Sequence, residues 1–400
     1  MKAVVLAAGK GTRLNVLTKY RPKHLLPLIG RPIIEHVICE LKNAGVTEIG
    51  IIVGYMKEKI MKLIGDGSKY GLNVTYIVQD EQLGTAHAIK IAEKFVGNER
   101  FIVVYGDITL KGKIILDALK RHFETNTVAT IVTTEVDDPW NYGVIEVDEN
   151  GIMKNIIEKP EKGKEPSNKI NTGIYVLEGS KIYEVINRTQ ISKRGEYEIT
   201  DTFKELLKMG EKIAILNTEK GWWKDVGRAW DLIEVNEYYM NEANYYGKII
   251  IGEESVIESK CIIKPPVIIG KNCRIKSNSV IGPHTIIGDN VEIGVNSRIF
   301  NSIVMEDTCI LNNVEIGYSI IGSNCLVEGN VKFRYTSTFN NIKMRIKGIE
   351  VDTGRKNMGA VVGDYSYIGC GSIVLPGISI YPNSIVTRWK IVYHDVDGFY

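Results

Sequence analysis

The stretch IGEESVIESKCIIKPPVIIGKNCRIKSNSVIGPHTIIGDNVEIGVNSRI, residues 251–299, places isoleucine at every sixth position: Ile251, Ile257, Ile263, Ile269, Ile275, Ile281, Ile287, Ile293 and Ile299. A helix returns its buried face about every 3.6 residues and a strand at every second one, so neither gives a period of six. Glycine often follows, as in Ile251-Gly252, Ile269-Gly270, Ile281-Gly282, Ile287-Gly288 and Ile293-Gly294. One inward aliphatic residue per hexad, with small residues at the corners, specifies a β-helix of hexapeptide repeats. An irregular β-sandwich is the competing arrangement, and it gives no reason for so long an isoleucine series. The beat slips through Val304, Ile310, Ile316, Ile321 and Val327, then returns at Val362, Ile368, Val374, Ile380 and Val386. Residues 331–360 break it and are expected to leave the coil as a loop.

Toward the N-terminus the reading changes. Strand-like runs at 2–7, 48–53, 74–78 and 101–105 alternate with helical ones, from about Ile33 to Asn43 and after Gly84, the order of a parallel α/β sheet. The helix after Pro32 places Ile33, Ile34, Val37, Ile38 and Leu41 on one side. Past Asp107 the pattern loosens, and a hairpin is expected through 143–160, the kind of insertion that carries substrate contacts. The chain therefore divides into an α/β domain, 1–245, and a β-helix domain, 246–400.

With 400 residues, 44% hydrophobic and 24% charged, the chain is too long for one ordinary core and too balanced for disorder. A formal charge of +2 leaves no basic excess for a phosphate backbone, so nucleic acid is not an expected partner. The apolar run in residues 1–9 is too short for a targeting segment and leads into a glycine turn, which reads as a first strand. No stretch approaches the roughly 18 apolar residues of a membrane span, so no membrane association is expected. The cysteines, Cys39, Cys261, Cys273, Cys309, Cys325 and Cys370, show no CxxC or Cys/His ligand spacing. Read as reduced, small apolar residues, they fit a cytoplasmic protein.

The first strand runs into Ala8-Gly9-Lys10-Gly11-Thr12-Arg13-Leu14. Glycines let backbone N–H groups approach phosphate oxygens, and Arg13 adds a fixed cation. Such turns also simply close strands, and this one has neither the glycine spacing of a dinucleotide fold nor the GK[ST] of a P-loop. The string LAAGKGTRL (6–14), followed by RPKHLLPL (21–28), resembles the signature of the sugar-nucleotide pyrophosphorylases, or sugar-1-phosphate nucleotidylyltransferases. That family includes one half of the bacterial bifunctional GlcNAc-1-phosphate uridylyltransferases, and archaeal two-domain relatives. Further matching blocks follow in order: QDEQLGTAHA (79–88), YGD (105–107), NYGV (141–144), IIEKP (156–160), NTGIY (171–175) and WKDVG (223–227). The hexads match the same layout, so the resemblance spans nearly the whole chain.

The resemblance implies a Rossmann-like nucleotidyltransferase domain followed by a left-handed parallel β-helix. It also implies Mg²⁺-dependent transfer from UTP, or dTTP, to a hexose-1-phosphate, with N-acetylglucosamine-1-phosphate or glucose-1-phosphate as the sugar. In such a reaction a sugar-phosphate oxygen attacks the nucleotide α-phosphorus in line, so catalysis is positioning and charge neutralisation. Asp107 ends an apolar strand, where parallel sheets present ligand-binding groups, and its carboxylate suits Mg²⁺. Asp225, in the W-x-D-x-G turn, is the family's usual second metal ligand; the bacterial bifunctional enzymes use asparagine near this point. Lys23 and Arg13 are the catalytic cations on the triphosphate. Ala8, Gly9, Gly11 and Thr12 would cradle it, while Gln79, Gly84 and Thr85 fall where relatives hold the uracil edge, with Gln82 supporting the loop. Gly143, Glu158, Lys159, Asn171 and Thr172 form the sugar-phosphate set. Plainer readings exist for several: a solvated cation for Lys23, a helix cap for Asp107, an Asx-turn for Asp225, an exposed strand end for Gln79 and a salt bridge for Glu158. His24 and His87 have no metal partner at ligand spacing.

In the bifunctional relatives the β-helix acetylates glucosamine-1-phosphate, using an Arg and a Lys on the phosphate, a base histidine and a G-A-G-T-like turn. Aligned around Gly282-Pro283-His284-Thr285, this chain has glycine at the arginine, Phe300 at the lysine and Asn312 at the histidine. Val331 to Thr338 replaces the glycine-rich turn. The β-helix is therefore read as a trimerisation and stability module, with an acyltransferase of altered chemistry as the alternative. A non-catalytic regulatory homologue is a third possibility, and the presence of Arg13, Lys23, Asp107 and Asp225 argues against it.

Overall fold

The computed structural model describes the backbone of residues 1–400 and every side chain except that of Asn15. By packing, the chain falls into two compact units, one of Met1–Lys10 with Ile33–Asp225, the other of Gly11–Pro32 with Val226–Tyr400. The first strand of the repeats is Ile249–Ile251. Two earlier stretches nevertheless group with them, 11–32 and 226–248. Their side chains supply the reason: Asn236 bonds the backbone at Pro27 and Ile29, and Arg21 bonds Glu306.

The first unit is built on a nine-stranded sheet. Its strands are β1 (Lys2–Ala7), β2 (Glu48–Val53), β3 (Asn73–Val78), β4 (Arg100–Tyr105), β5 (Ala129–Glu135), β6 (Gly143–Val147), β7 (Met153–Glu158), β8 (Lys169–Glu178) and β9 (Ile213–Asn217). The order is β9-β5-β8-β4-β1-β2-β3, and the β6–β7 hairpin joins through β8. β1 to β4 are parallel, with Lys2 opposite both Glu48 and Phe101, and β8 runs antiparallel to its neighbours. The central strands read as unbroken apolar runs because both faces are covered; Val4, Val5, Ile51, Ile52, Val103 and Val104 are fully buried. The helix Ile33–Asn43 buries the five residues its spacing predicts, Ile33, Ile34, Val37, Ile38 and Leu41. Among the described residues no helix is long and apolar enough to cross a membrane.

In the second unit the hexads form three seven-stranded parallel sheets, the arrangement of a left-handed β-helix. Ile251 pairs with Ile269 and Ile269 with Ile287, so three hexads make one coil. Ile275, Ile281, Ile293, Ile299, Ile310, Ile316 and Ile321 stack as a fully buried core. The slips after Ile299 are coils one residue shorter, in which Ile287 pairs with Val304 and Ile293 with Ile310, and the inward column stays in line. The excursion starts later than the broken beat suggests. Phe333 still pairs with Val374, because Val331 and Phe333 are inward and buried; the chain then leaves to form the hairpin Lys343–Ile346 with Ile349–Asp352.

The corners hold the small residues that the hexads place there. The glycines after the inward isoleucines are there for closeness: a Cβ on Gly252 would lie 2.5 Å from the Gly270 carbonyl, and one on Gly288 2.6 Å from the Glu306 nitrogen. The left-handed conformation falls two residues later, on Asn272, Asn290 and Asn296, at φ between 54° and 58°. Asparagine is the non-glycine residue that best tolerates it. These side chains then stack between coils: Asn272 Nδ2 donates to Asn290 Oδ1 at 3.3 Å, and Asn290 Nδ2 to Asp307 Oδ1 at 2.9 Å.

Candidate functional site

In the first unit, the sequence-predicted residues gather at the carboxyl ends of β1, β3 and β4. Beyond β1, the buried Ala8 offers its carbonyl to two donors, Tyr55 N at 3.2 Å and Gln82 Nε2 at 2.8 Å. Gln82 thereby ties the loop after β3 to the glycine turn. Gln79 is only 4% exposed, and its Nε2 donates to Gly84 O at 3.3 Å and lies 3.0 Å from His87 Nδ1. Burial first, and then Lys90, push the His87 pKa down, which keeps the ring neutral and able to accept that proton. Next along, Thr85 Oγ1 accepts from Ile199 N at 3.0 Å, and Tyr197 N donates to Leu83 O at 2.7 Å. The base-reading loop inferred from the sequence is thus braced on residues 197–199.

Asp107, nearly buried, follows β4. Its neighbour Ile108 forms an antiparallel bridge with Asp225, and Thr109 completes the join, donating from N to Lys224 O at 2.9 Å and from Oγ1 to Trp222 O at 2.9 Å. The strand end and the WKDVG turn are therefore stitched together. Tyr142 OH donates to Asp225 Oδ1 at 3.1 Å and its ring meets Trp223 edge-on. Sequence reasoning left Tyr142 unassigned, although it sits inside the NYGV block. Among the described residues no three His, Cys, Asp or Glu side chains converge on one point. Two hard carboxylate donors fit a cation that completes its shell from water and phosphate oxygens, which is the habit of Mg²⁺.

Of the sugar-phosphate set, Gly143, Glu158 and Asn171 meet. Gly143 on β6 faces Glu158 on β7, and a Cβ at Gly143 would lie 3.0 Å from Glu158 Oε2 and 3.5 Å from Asn171 Cβ. Arg194, absent from the sequence reading, donates to Glu158 Oε1 at 3.4 Å and Glu198 Oε1 at 3.0 Å. Burial and then Glu198 push the Glu158 carboxyl up, against the pull of Lys159 and Arg194. Asn171 Nδ2 donates to Tyr175 OH at 2.8 Å, and that hydroxyl donates to Tyr105 OH at 3.2 Å. Burial raises both phenols, so they stay neutral. Lys159 takes a left-handed φ of 44° and donates its backbone N–H to Tyr142 O at 3.0 Å. Thr172 keeps its hydroxyl inside the sheet, donating to Val132 O at 2.7 Å, while its carbonyl accepts from Trp223 Nε1 at 2.9 Å.

The second unit carries the predicted cations. Gly11, at φ 63°, opens a 3₁₀ turn over Thr12–Leu14, and its carbonyl accepts from Leu14 N at 2.9 Å and Thr18 Oγ1 at 3.2 Å. A Cβ on Gly11 would sit 3.1 Å from Lys23 Cβ, so the glycine turn and the Lys23 stem are packed together. Thr12 and Arg13 line a cleft with Arg345 and Lys347 of the excursion hairpin. No sequence signal marks those two cations, because the hairpin lies where the hexad pattern is broken. In the β-helix, Phe300 is buried with its ring edge-on to Tyr318 and Tyr335. Asn312 Oδ1 accepts from Val295 N at 2.9 Å, and His284 Nε2 lies 2.9 Å from Asn241 Oδ1.

Comparison with known proteins matches residues 2–242 to the Nucleotidyl transferase family, residues 248–283 to Bacterial transferase hexapeptide (six repeats), and residues 273–353 to the GMPPB C-terminal domain. The chain is 38% identical to the Bifunctional protein GlmU of Methanococcus maripaludis, over 99% of this chain and 96% of that protein. It is 37% identical to the low-salt glycan biosynthesis nucleotidyltransferase Agl11 of Haloferax volcanii, over 65% of this chain and 72% of that one. It is also similar to a crystal structure of a Bacillus anthracis protein assigned as a glucose-1-phosphate thymidylyltransferase, in complex with a sucrose. The TM-score is 0.54 and the identity 34%, covering 62% of this chain and 98% of that one.

Proposed function

We propose, from the premise that this chain belongs to the nucleotidyl transferase family and is a sugar-1-phosphate nucleotidyltransferase, that it joins UTP or dTTP to N-acetylglucosamine-1-phosphate or glucose-1-phosphate. The observation that carries this reading is the bridge from Ile108 to Asp225, which brings an aspartate from far along the chain to the end of β4. A sugar-phosphate oxygen forms a bond to the α-phosphorus while the bond to the β-phosphate breaks and pyrophosphate leaves. Arg13 and Lys23 neutralise the triphosphate, with backbone N–H groups of Ala8, Gly9, Gly11 and Thr12 around it. Gln79, Gly84 and Thr85 shape the base-reading loop, Gln79 bracing it from within. Gly143, Glu158, Lys159 and Asn171 hold the sugar phosphate, with Glu158 and Asn171 on its hydroxyls, while Thr172, its hydroxyl bonded into the sheet, supports them from behind. Asp107 and Asp225 would hold Mg²⁺, which supplies positive charge to the phosphates. The expected result is pyrophosphate release from UTP or dTTP with a hexose-1-phosphate and Mg²⁺, abolished by EDTA. No turnover anywhere in a matrix of nucleotides and sugar phosphates would sink the assignment.

For the β-helix we propose assembly rather than acetyl transfer, in a cytoplasmic homo-oligomer that is a trimer or a multiple of one. Acetylating an amine requires a base to take its proton, and Asn312 has no proton affinity near neutral pH. Phe300, buried among Tyr318 and Tyr335, offers no charge to a phosphate. The competing reading, a bifunctional enzyme, draws on the name of the Methanococcus maripaludis relative. Acetyl-CoA mixed with glucosamine-1-phosphate is expected to release no free thiol. Release above an Asn312→Ala control would make the bifunctional reading correct.

A further inference from the structure

The segment that bears Lys23 is fastened to the β-helix at a partly buried ionic cluster. Arg21 keeps only 12% of its side chain exposed. Its Nη1 donates to Glu306 Oε1 at 3.1 Å, and its Nη2 to Ser323 Oγ at 2.6 Å and Asp364 Oδ2 at 3.0 Å. Asp364 is itself fixed, since its Oδ1 accepts from Ser323 N at 2.9 Å. Burial opposes ionisation of Glu306, yet Arg21 holds its carboxyl below the ordinary value, so Glu306 faces Arg21 as a carboxylate at neutral pH. Tyr20 adds a second fastening: its ring meets Tyr365 edge-on at 5.3 Å, and its hydroxyl accepts from Asn383 Nδ2 at 2.6 Å.

A partly buried ion cluster is weak support for stability, because apolar groups of the same volume often do as well. What it supplies here is geometry: one planar fork, three acceptors, one orientation. A single residue, Pro22 at φ −67°, separates Arg21 from Lys23, and the ring fixes that torsion. Lys23 then enters a tight turn in which Leu26 N donates to Lys23 O at 3.0 Å. The far end of the segment is held by Asn236, which accepts from Ile29 N at 2.7 Å and donates to Pro27 O at 3.1 Å.

We infer that Arg21 is a positioning residue for nucleotidyl transfer, through which the β-helix holds Lys23 in its working orientation. The inference rests on the proposed action of Lys23 on the triphosphate. Misplacing a catalytic group by about 1 Å can cost about a hundredfold, so Arg21→Ala in the full chain should lower kcat about 10- to 100-fold while each KM stays within about threefold. Arg21→Lys should recover only part of the rate, because an ammonium cannot reach all three acceptors. The isosteric Asp364→Asn, with circular dichroism as the control for folding, should also lower kcat, and in combination with Arg21→Ala should add little. Wild-type kcat in Arg21→Ala overturns the inference. So does a loss in Arg21→Ala with none in Asp364→Asn, which would mean that Arg21 meets substrate directly. Lys23→Ala, assayed alongside, separates the two readings: if it keeps wild-type kcat, the role of Lys23 fails and this inference with it. If only Lys23→Ala loses rate, the role of Lys23 stands and the positioning fails.

Discussion

Asp107→Asn lowers kcat by about a hundredfold or more, with the fold intact and little change in nucleotide KM, if the carboxylate acts mainly on charge that develops in the transition state. Asparagine keeps the size and the hydrogen-bonding edge of Asp107 but removes the charge that a hard cation needs. The position is nearly buried and follows a strand paired on both sides, so the exchange leaves the packing alone. Steady-state kinetics with pyrophosphate detection check this, with circular dichroism as the control for folding. A rate within about threefold of wild type would remove Asp107 from the machinery and leave Asp225 without its partner.

Gly84→Ala should be nearly as damaging, by a different route. Gly84 sits at φ 108°, a conformation L side chains rarely adopt, and its Cβ would fall 2.5 Å from Tyr197 O and 2.9 Å from Tyr197 N. Both obstacles are backbone. Moving Tyr197 costs the bonds from Ala86 N to Tyr197 O at 2.9 Å and from Tyr197 N to Leu83 O at 2.7 Å, so the whole loop must be rebuilt. A loss of about a hundredfold in kcat/KM for the nucleotide is expected, equivalent to about 2.7 kcal/mol. An alanine variant with unchanged nucleotide kcat/KM would show that residues 79–88 do not form the nucleotide site.

Much of this architecture was legible in the sequence because its signals are local and periodic. The hexads, the apolar runs of β1, β2 and β4, and the amphipathic spacing of Ile33 to Leu41 all report burial through near neighbours. What escaped depends on contacts between residues far apart in the chain. Arg21 and Glu306 are separated by 285 positions, and no pattern around RPKHLLPL indicates a partner in the repeats. Nor does any pattern around Tyr142 indicate the Asp225 carboxylate. The corners were legible only as small residues: the hexads do not tell that glycine is retained there for lack of space, nor that asparagine two residues on carries the left-handed turn. Val331 and Phe333 were counted with the excursion because the beat is broken just beyond them.

Glu306, Ser323 and Asp364 each lie two residues beyond a strand of one prism face, after Ile303–Val304, Ile320–Ile321 and Val361–Val362 in turn. They are successive rungs of one column, even though 41 positions separate the last two in sequence. The Arg21 fork therefore measures the prism in whole rungs, each about 4.8 Å, and is indifferent to how much chain loops out between them. Coils could be added or removed beyond Asp364 without the fork losing its grip, whereas a change before Glu306 would shift the rungs away from Asn236, which holds the other end of the Arg21 segment. One extra coil between Ser323 and Asp364 would shift a carboxylate out of reach by a full rung. The length of the excursion is free to drift, while the phase of the coils beneath Arg21 is not.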